Sequence, residues 1–192
     1  MKLTKKTKLI YGVGINDADY AVGPKINGKQ LWCPFYKTWH RMIMRCYSVK
    51  SLKAKPGYLN CSVDDKWLVF SNFKLWMEVQ DWKGKHLDKD LLIQGNKVYG
   101  PLSCMFVGAE INSLLNEQLN KRGFHPRGVK FQSGKYQSQC KANGLHVYLG
   151  CYNTPEEAHE AYKAFKYNHI AEIASQQSEP LRTALLNYVI EP

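Results

Sequence analysis

Acidic residues are scarce in this chain: 16 Asp plus Glu stand against 27 Lys plus Arg, for a formal net charge of +11 over 192 residues. Such an imbalance argues against an anion-repelling surface and for a polyanionic partner, bound through phosphate neutralisation and counterion release. Paired cysteines are missing too. The six present, Cys33, Cys46, Cys61, Cys104, Cys140 and Cys151, form no CxxC pair, which removes the simple zinc-ribbon and thiol-redox motifs. They read as reduced thiols acting as small hydrophobes; a zinc site from scattered partners such as Cys46, Cys61 and Cys104 is the less common arrangement, so zinc is not expected. No apolar run approaches the ~20 residues of a membrane span. MKLTKKTKL has no apolar core of a secretory signal. The expectation is a soluble, cytoplasmic protein without a membrane partner.

What is abundant is core material. With 44% hydrophobic and 12% aromatic residues, the chain has enough apolar surface for one ordinary domain or two small ones. Residues 1–30 are basic and punctuated by glycine, and read as an arm with turns and a short strand, ordered by packing or by DNA. PFYKTWHRMIMRCY opens on Pro34 and spaces Trp39, Met42, Ile43 and Cys46 for a helix over about 34–47. Lys50 to Asn60 reads as a loop. A second helix is expected over about 65–79, where Trp67, Phe70, Phe73, Trp76 and Met77 give an apolar stripe, with Asp64 and Asp65 at its N-terminal end.

The stretch HLDKD, His86 to Asp90, begins what reads as a strand over about 86–93. Alternation would place His86, Asp88 and Asp90 on one face. A turn at Gly95-Asn96, an apolar CMFV segment and a helix from about Gly108 to Leu119 follow. NKRGFHPRG then reads as a linker, giving domains over about 1–120 and 123–192.

From Arg127 onward three runs alternate. Val129 and Phe131 oppose Lys130 and Gln132; Tyr136, Ser138 and Cys140 oppose Lys135, Gln137, Gln139 and Lys141; Leu145, Val147 and Leu149 oppose His146 and Tyr148. Reversals at Gly134 and at Asn143-Gly144 predict a three-stranded antiparallel sheet. The following helix has Thr154 as N-cap, Pro155 at its first position and Glu157 to complete a capping box. Its stripe of Ala158, Ala161, Tyr162, Phe165, His169, Ile170 and Ile173 would cover the apolar sheet face. A short closing helix is expected from Glu179 to Val189. No acidic residue occurs between Lys121 and Gly150, whereas Lys121, Arg122, Arg127, Lys130, Lys135 and Lys141 do. The uncovered sheet face is therefore polar and basic, as a major-groove reader requires. The fold class expected is α+β.

RGVKFQSGKYQSQCK…HVYLGCYNTPEEAHEAY resembles the ethylene-response-factor (APETALA-type) DNA-binding domain over about fifty residues, with its motifs in order. The resemblance implies double-stranded DNA as partner, met by Arg127, Lys130, Gln132, Lys141, His146 and Tyr148, with Lys135 on the same face. Several of the family's arginines and a tryptophan are replaced here by Lys, Gln, His and Tyr.

Phage proteins attach such modules to HNH nucleases, and the unit at 86–120 resembles that ββα-metal core. The resemblance implies one divalent cation, magnesium or manganese, held by Asp88 and by Asn112 of AEIN, and hydrolysis of a phosphodiester, as a nick rather than a double-strand break for a monomer. Where the family has its general-base histidine this chain has Lys89. A lysine near its ordinary pKa of ~10.4 cannot take a proton from water. His86 and Asp90 are the substitutes, with Lys89 left to neutralise phosphate charge; His40 is more remote. Three readings stand side by side: a divergent nuclease of phage homing type, a degenerate scaffold that only binds DNA, and an edge strand with neither role.

Overall fold

A computed structural model describes residues 9–115 and 124–190. The chain is mixed α+β and divides into two units between Gly108 and Ala109. The linker residues Lys121 and Arg122, and the expected helical continuation to Leu119, lie outside the described residues. Among the described residues no helix is long and apolar enough to cross a membrane.

In the first unit, helix α1 (Pro34–Tyr47) begins at the proline that marks it in the sequence. Its stripe of Tyr36, Trp39, Met42, Ile43 and Cys46 is buried. Trp39 is fully enclosed, and its indole Nε1 donates to the backbone oxygen of Trp67 at 2.7 Å, so the one polar atom of a large core side chain is satisfied. The expected single helix over 65–79 is two pieces, a 3₁₀ turn Asp65–Leu68 and helix α3 (Phe70–Glu78). The break has a backbone cause. Ile15 inserts beside Val69, its N–H donating to Leu68 O at 2.8 Å while its carbonyl accepts from Phe70 N at 3.0 Å, so these groups cannot continue a helix.

Two further corrections belong to this unit, at the expected loop and at the expected strand, while the arm carries short strands and packs as expected. The expected loop after Lys50 is helix α2 (Val49–Ala54), with Ser48 accepting from Ser51 N–H as its cap, and a 3₁₀ turn Pro56–Tyr58. The basic arm packs through Ile10, Val13, Ala18 and Val22 on the core, and carries the two-residue strands β1 (Lys25–Ile26) and β2 (Lys29–Gln30) around Asn27-Gly28. The strand expected over 86–93 stops at Asp88. It forms β4 (His86–Asp88), antiparallel to β6 (Met105–Val107), and the chain between them passes through β5 (Val98–Tyr99), which pairs in parallel with β3 (Ser62–Val63).

The second unit opens with helix α4 (Ala109–Leu115). Its centre is the three-stranded antiparallel sheet: β7 (Val129–Gln132), β8 (Lys135–Ala142) and β9 (Leu145–Tyr152), with β8 in the middle. Helix α5 (Pro155–Ser175) packs on β8 and β9. The capping box is complete: Thr154 Oγ1 accepts from Glu157 N–H at 3.2 Å, and the Glu157 carboxylate accepts from Thr154 N–H at 3.3 Å. Of the expected stripe Ala158, Tyr162, His169 and Ile170 are buried and Ala161, Phe165 and Ile173 half-buried, and Ala174, His159 and Lys166 are buried as well. The closing helix α6 (Leu181–Leu186) is shorter than expected and buries Leu185.

Candidate functional site

The sheet of the second unit has two chemically distinct faces. Along β8, burial alternates strictly: Ser138, Cys140 and Ala142 are buried, while Lys135, Gln139 and Lys141 are exposed and Gln137 half-exposed. Cross-strand register places Lys130 beside Gln137, Gln132 beside Lys135, Tyr148 beside Gln139, and His146 beside Lys141. All these partners are exposed except Gln137, which is half-exposed. A bulge displaces the register between Ser138 and Gln139, so that β9 spends one extra residue, Leu149, there. The shift in parity sends Cys151 to the outward face opposite Gln137 and returns Tyr152 inward beside Tyr136.

Charge follows the same division. The outward face carries Lys130, Lys135 and Lys141, and no Asp or Glu occurs from Phe124 to Cys151. Of the unit's acids, Glu156, Glu157, Glu160 and Glu172 ride on α5, against the opposite side of the sheet and interspersed with Lys163 and Lys166, while Glu110 lies on α4 and Glu179 after α5. Hydrogen bonds hold two outward side chains: Lys135 Nζ donates to Asn153 Oδ1, and Tyr148 Oη donates to Cys151 Sγ at 3.0 Å.

Of the residues that the sequence singles out for DNA, Lys130, Gln132, Lys135, Lys141, His146 and Tyr148 come together on this face. Arg127 does not share it. It precedes β7, is half-buried, and its carbonyl oxygen lies 2.9 Å from His159 Nδ1. Three outward residues, Gln137, Gln139 and Cys151, are additions. Alternation already placed the two glutamines outward; the bulge hid Cys151.

The HLDKD segment is arranged differently from its expectation. Asp88 Oδ1 accepts from the backbone N–H groups of Asp90 at 3.0 Å and Leu91 at 2.8 Å, which bends the chain into a turn and ends the strand. The shared face foreseen for His86, Asp88 and Asp90 is thus reduced to the exposed His86 and the half-buried Asp88. Burial pushes the Asp88 carboxyl above its usual pKa, the neighbouring Asp90 charge adds to this, and the two N–H bonds oppose it without prevailing.

Lys89 points inward and is 6% exposed. Its Nζ donates to Asp90 Oδ2 at 2.8 Å and to Asn96 O at 2.9 Å. Burial draws the ammonium's pKa down, but the bond and charge of Asp90 prevail and the net direction is upward. Lys89 is therefore a fixed cation, with no capacity to act as a base. The Asn96 side chain closes the same loop, Nδ2 donating to Lys89 O at 2.6 Å and to Val98 O at 2.7 Å. This is a structural amide in the turn.

Several of the candidate donors already have partners. One oxygen of Asp88 is committed to two backbone amides, the carboxylate of Asp90 to the Lys89 ammonium, and among the described residues no three His, Cys, Asp or Glu side chains gather where they could hold an ion. Asn112 is half-buried on α4. The buried thiols of Cys46 and Cys104 are each pushed up to about 12, chiefly by burial. Comparison with protein-family models, with curated proteins and with solved structures finds no match.

Proposed function

We propose that this protein binds double-stranded DNA by laying the outward face of β7, β8 and β9 in the major groove, with its first unit serving as a degenerate ββα scaffold. The observation that carries the proposal is the segregation of charge within one small module. Lysines lie on the open sheet face and glutamates on the covering helix, so a duplex would meet a locally cationic surface while the acids stay remote from its phosphates. A three-stranded sheet is also narrow enough to enter a groove about 12 Å wide.

The cleavage reading keeps one supporting feature, His86 and Asp88 on the same face of β4. Against it stands the commitment of Lys89, Asp90 and Asp88 to one another and to backbone, an arrangement that stabilises a loop.

Two measurements on the full chain test the proposal. Duplex affinity should fall steeply with salt, and supercoiled plasmid should stay supercoiled with magnesium or manganese. Nicking that is abolished by Asp88→Ala and by Asn112→Ala would replace the scaffold reading with a metal-dependent phage-type endonuclease acting through Asp88, Asn112 and His86. Absence of duplex binding near 50 mM salt would overturn the DNA-binding reading itself.

A further inference from the structure

We infer that the sheet selects A·T base pairs at the centre of its site, and that Gln137 and Gln139 make the selection. The inference rests on the duplex-binding reading and deepens it by naming which sequence the duplex must present.

The outward row of β8 runs Lys135, Gln137, Gln139, Lys141. Cations stand at its two ends and carboxamides in the middle. Among the described residues neither Gln137 nor Gln139 uses its side-chain amide in a hydrogen bond, so both keep a donor and an acceptor to offer. They are two residues apart on a strand, about 6.7 Å. Base pairs stack about 3.4 Å apart, so the two amides meet different pairs.

The chemistry of the base edges then decides. Adenine presents N7 as acceptor and N6–H as donor in the major groove, which a glutamine matches bidentately with Nε2–H and Oε1; guanine presents two acceptors, N7 and O6, and would leave Oε1 facing another oxygen. Among the described residues the outward face carries no arginine, the usual reader of guanine. Lysine also reads guanine. Here, however, Lys135 and Lys141 sit at the ends of the strand, where phosphates flank the groove, and Lys135 is already tied to Asn153.

The neighbours of the glutamines are suited to the other half of the pair. Tyr148 lies beside Gln139 and Cys151 beside Gln137, and the bond from Tyr148 Oη to Cys151 Sγ joins them into one weakly polar surface. A thymine C5-methyl group favours such a surface, and cytosine, offering an N4–H₂ donor, gains little from it.

The test is selection by the full-length protein from a duplex library randomised over its central positions, followed by competition binding with variants. The selected pool should carry A·T pairs at two central positions. Gln139→Ala should lower the preference for the selected duplex over its G·C-substituted counterpart by a factor between about 5 and about 150. Gln139→Arg should move the preference at that position to guanine, and Gln137→Ala should relax the other position. Lys141→Ala, by contrast, should weaken all duplexes alike and leave their ranking intact.

Enrichment of G·C pairs at the centre overturns the inference, as does an unchanged ranking in Gln137→Ala and Gln139→Ala proteins that still bind DNA. Failure to retain any duplex near 50 mM salt is a different result, since it removes the duplex-binding reading beneath the inference as well. Both glutamines lie on the open face, so the variants should unfold at the wild-type temperature, and a circular-dichroism melt verifies this for each.

Discussion

The ring of Tyr162 occupies the space where a side chain at position 128 would begin: a Cβ built on Gly128 falls 2.1 Å from Tyr162 Cδ2 and 2.9 Å from the carbonyl oxygen of Gln139. Gly128 also has φ at +73°. The sheet and α5 are therefore joined through a contact that only glycine permits.

Gly128→Ala should accordingly destabilise the second unit by about 2–4 kcal/mol, adding overpacking to left-handed backbone strain. Gly134 isolates the second contribution, because it has φ at +75° with nothing within 4 Å of its Cβ position. Gly134→Ala should cost only about 1–2 kcal/mol. Urea unfolding of the two variants side by side measures the difference, and equal losses would mean that the Tyr162 contact contributes nothing.

Lys89 should prove structural. Lys89→Ala removes a buried stem and two charge-assisted hydrogen bonds, for an expected loss of about 2–4 kcal/mol, with DNA affinity unaltered under conditions where the protein is folded. Its pKa is raised in the folded state. Its contribution is thus complete below the ordinary value near 10.5 and is lost as pH rises through the higher folded value. In thermal melts from pH 7 to pH 11 the gap between wild type and variant should be constant up to about pH 10 and begin to narrow above 10.5.

Asp88 carries the opposite lesson about charge. Its folded pKa lies above the ordinary 3.8, so the group favours folding below that value, and the benefit is lost as pH rises through the folded pKa. At neutral pH the buried negative charge is a cost. Asp88→Asn keeps the oxygen that accepts from Asp90 and Leu91 N–H and removes that charge; it should match or exceed wild-type stability at pH 7. Asp88→Ala, lacking the acceptor, should lose about 1 kcal/mol or more. If Asn proves as damaging as Ala, the ionised carboxylate has a role beyond ending the strand.

The outward lysines should govern the salt dependence. Replacing Lys130, Lys135 and Lys141 by Ala should reduce the slope of log affinity against log salt by roughly one for each lysine that meets a phosphate. A slope unchanged in the triple variant would place the DNA on another surface.

Much of the second unit was legible from sequence because its signals are local. Strict alternation over Lys135–Ala142, glycine at each reversal and the Thr154–Glu157 box all act within a few residues of the element they define. The first unit is harder because its decisive bonds join distant segments. Nothing around Trp67 announces that Ile15 will interrupt the helix there. The apolar run Leu91–Ile93 looks like a continuing strand until Asp88 Oδ1 captures two backbone N–H groups ahead of it. Lys89 is the clearest case: an isolated lysine between two aspartates reads as solvated, and its burial follows only once Asn96 has closed the loop over it. The outward sheet face was visible residue by residue, yet Cys151 required the extra Leu149, which periodicity cannot supply.

The pairing of Ile15 with Val69 reaches beyond local geometry. Asp17 Oδ1 also accepts from Ser71 N–H at 2.9 Å, so the short stretch from Ile15 to Asp17 acts as a splint across the joint between the 3₁₀ turn and α3. A shortened chain beginning at Pro34 would keep every helix of the first unit and still orphan the Leu68 carbonyl and the amides of Phe70 and Ser71. What resembles a dispensable leader in the primary structure is a keystone of the aromatic core, and any dissection of this protein has to begin upstream of it.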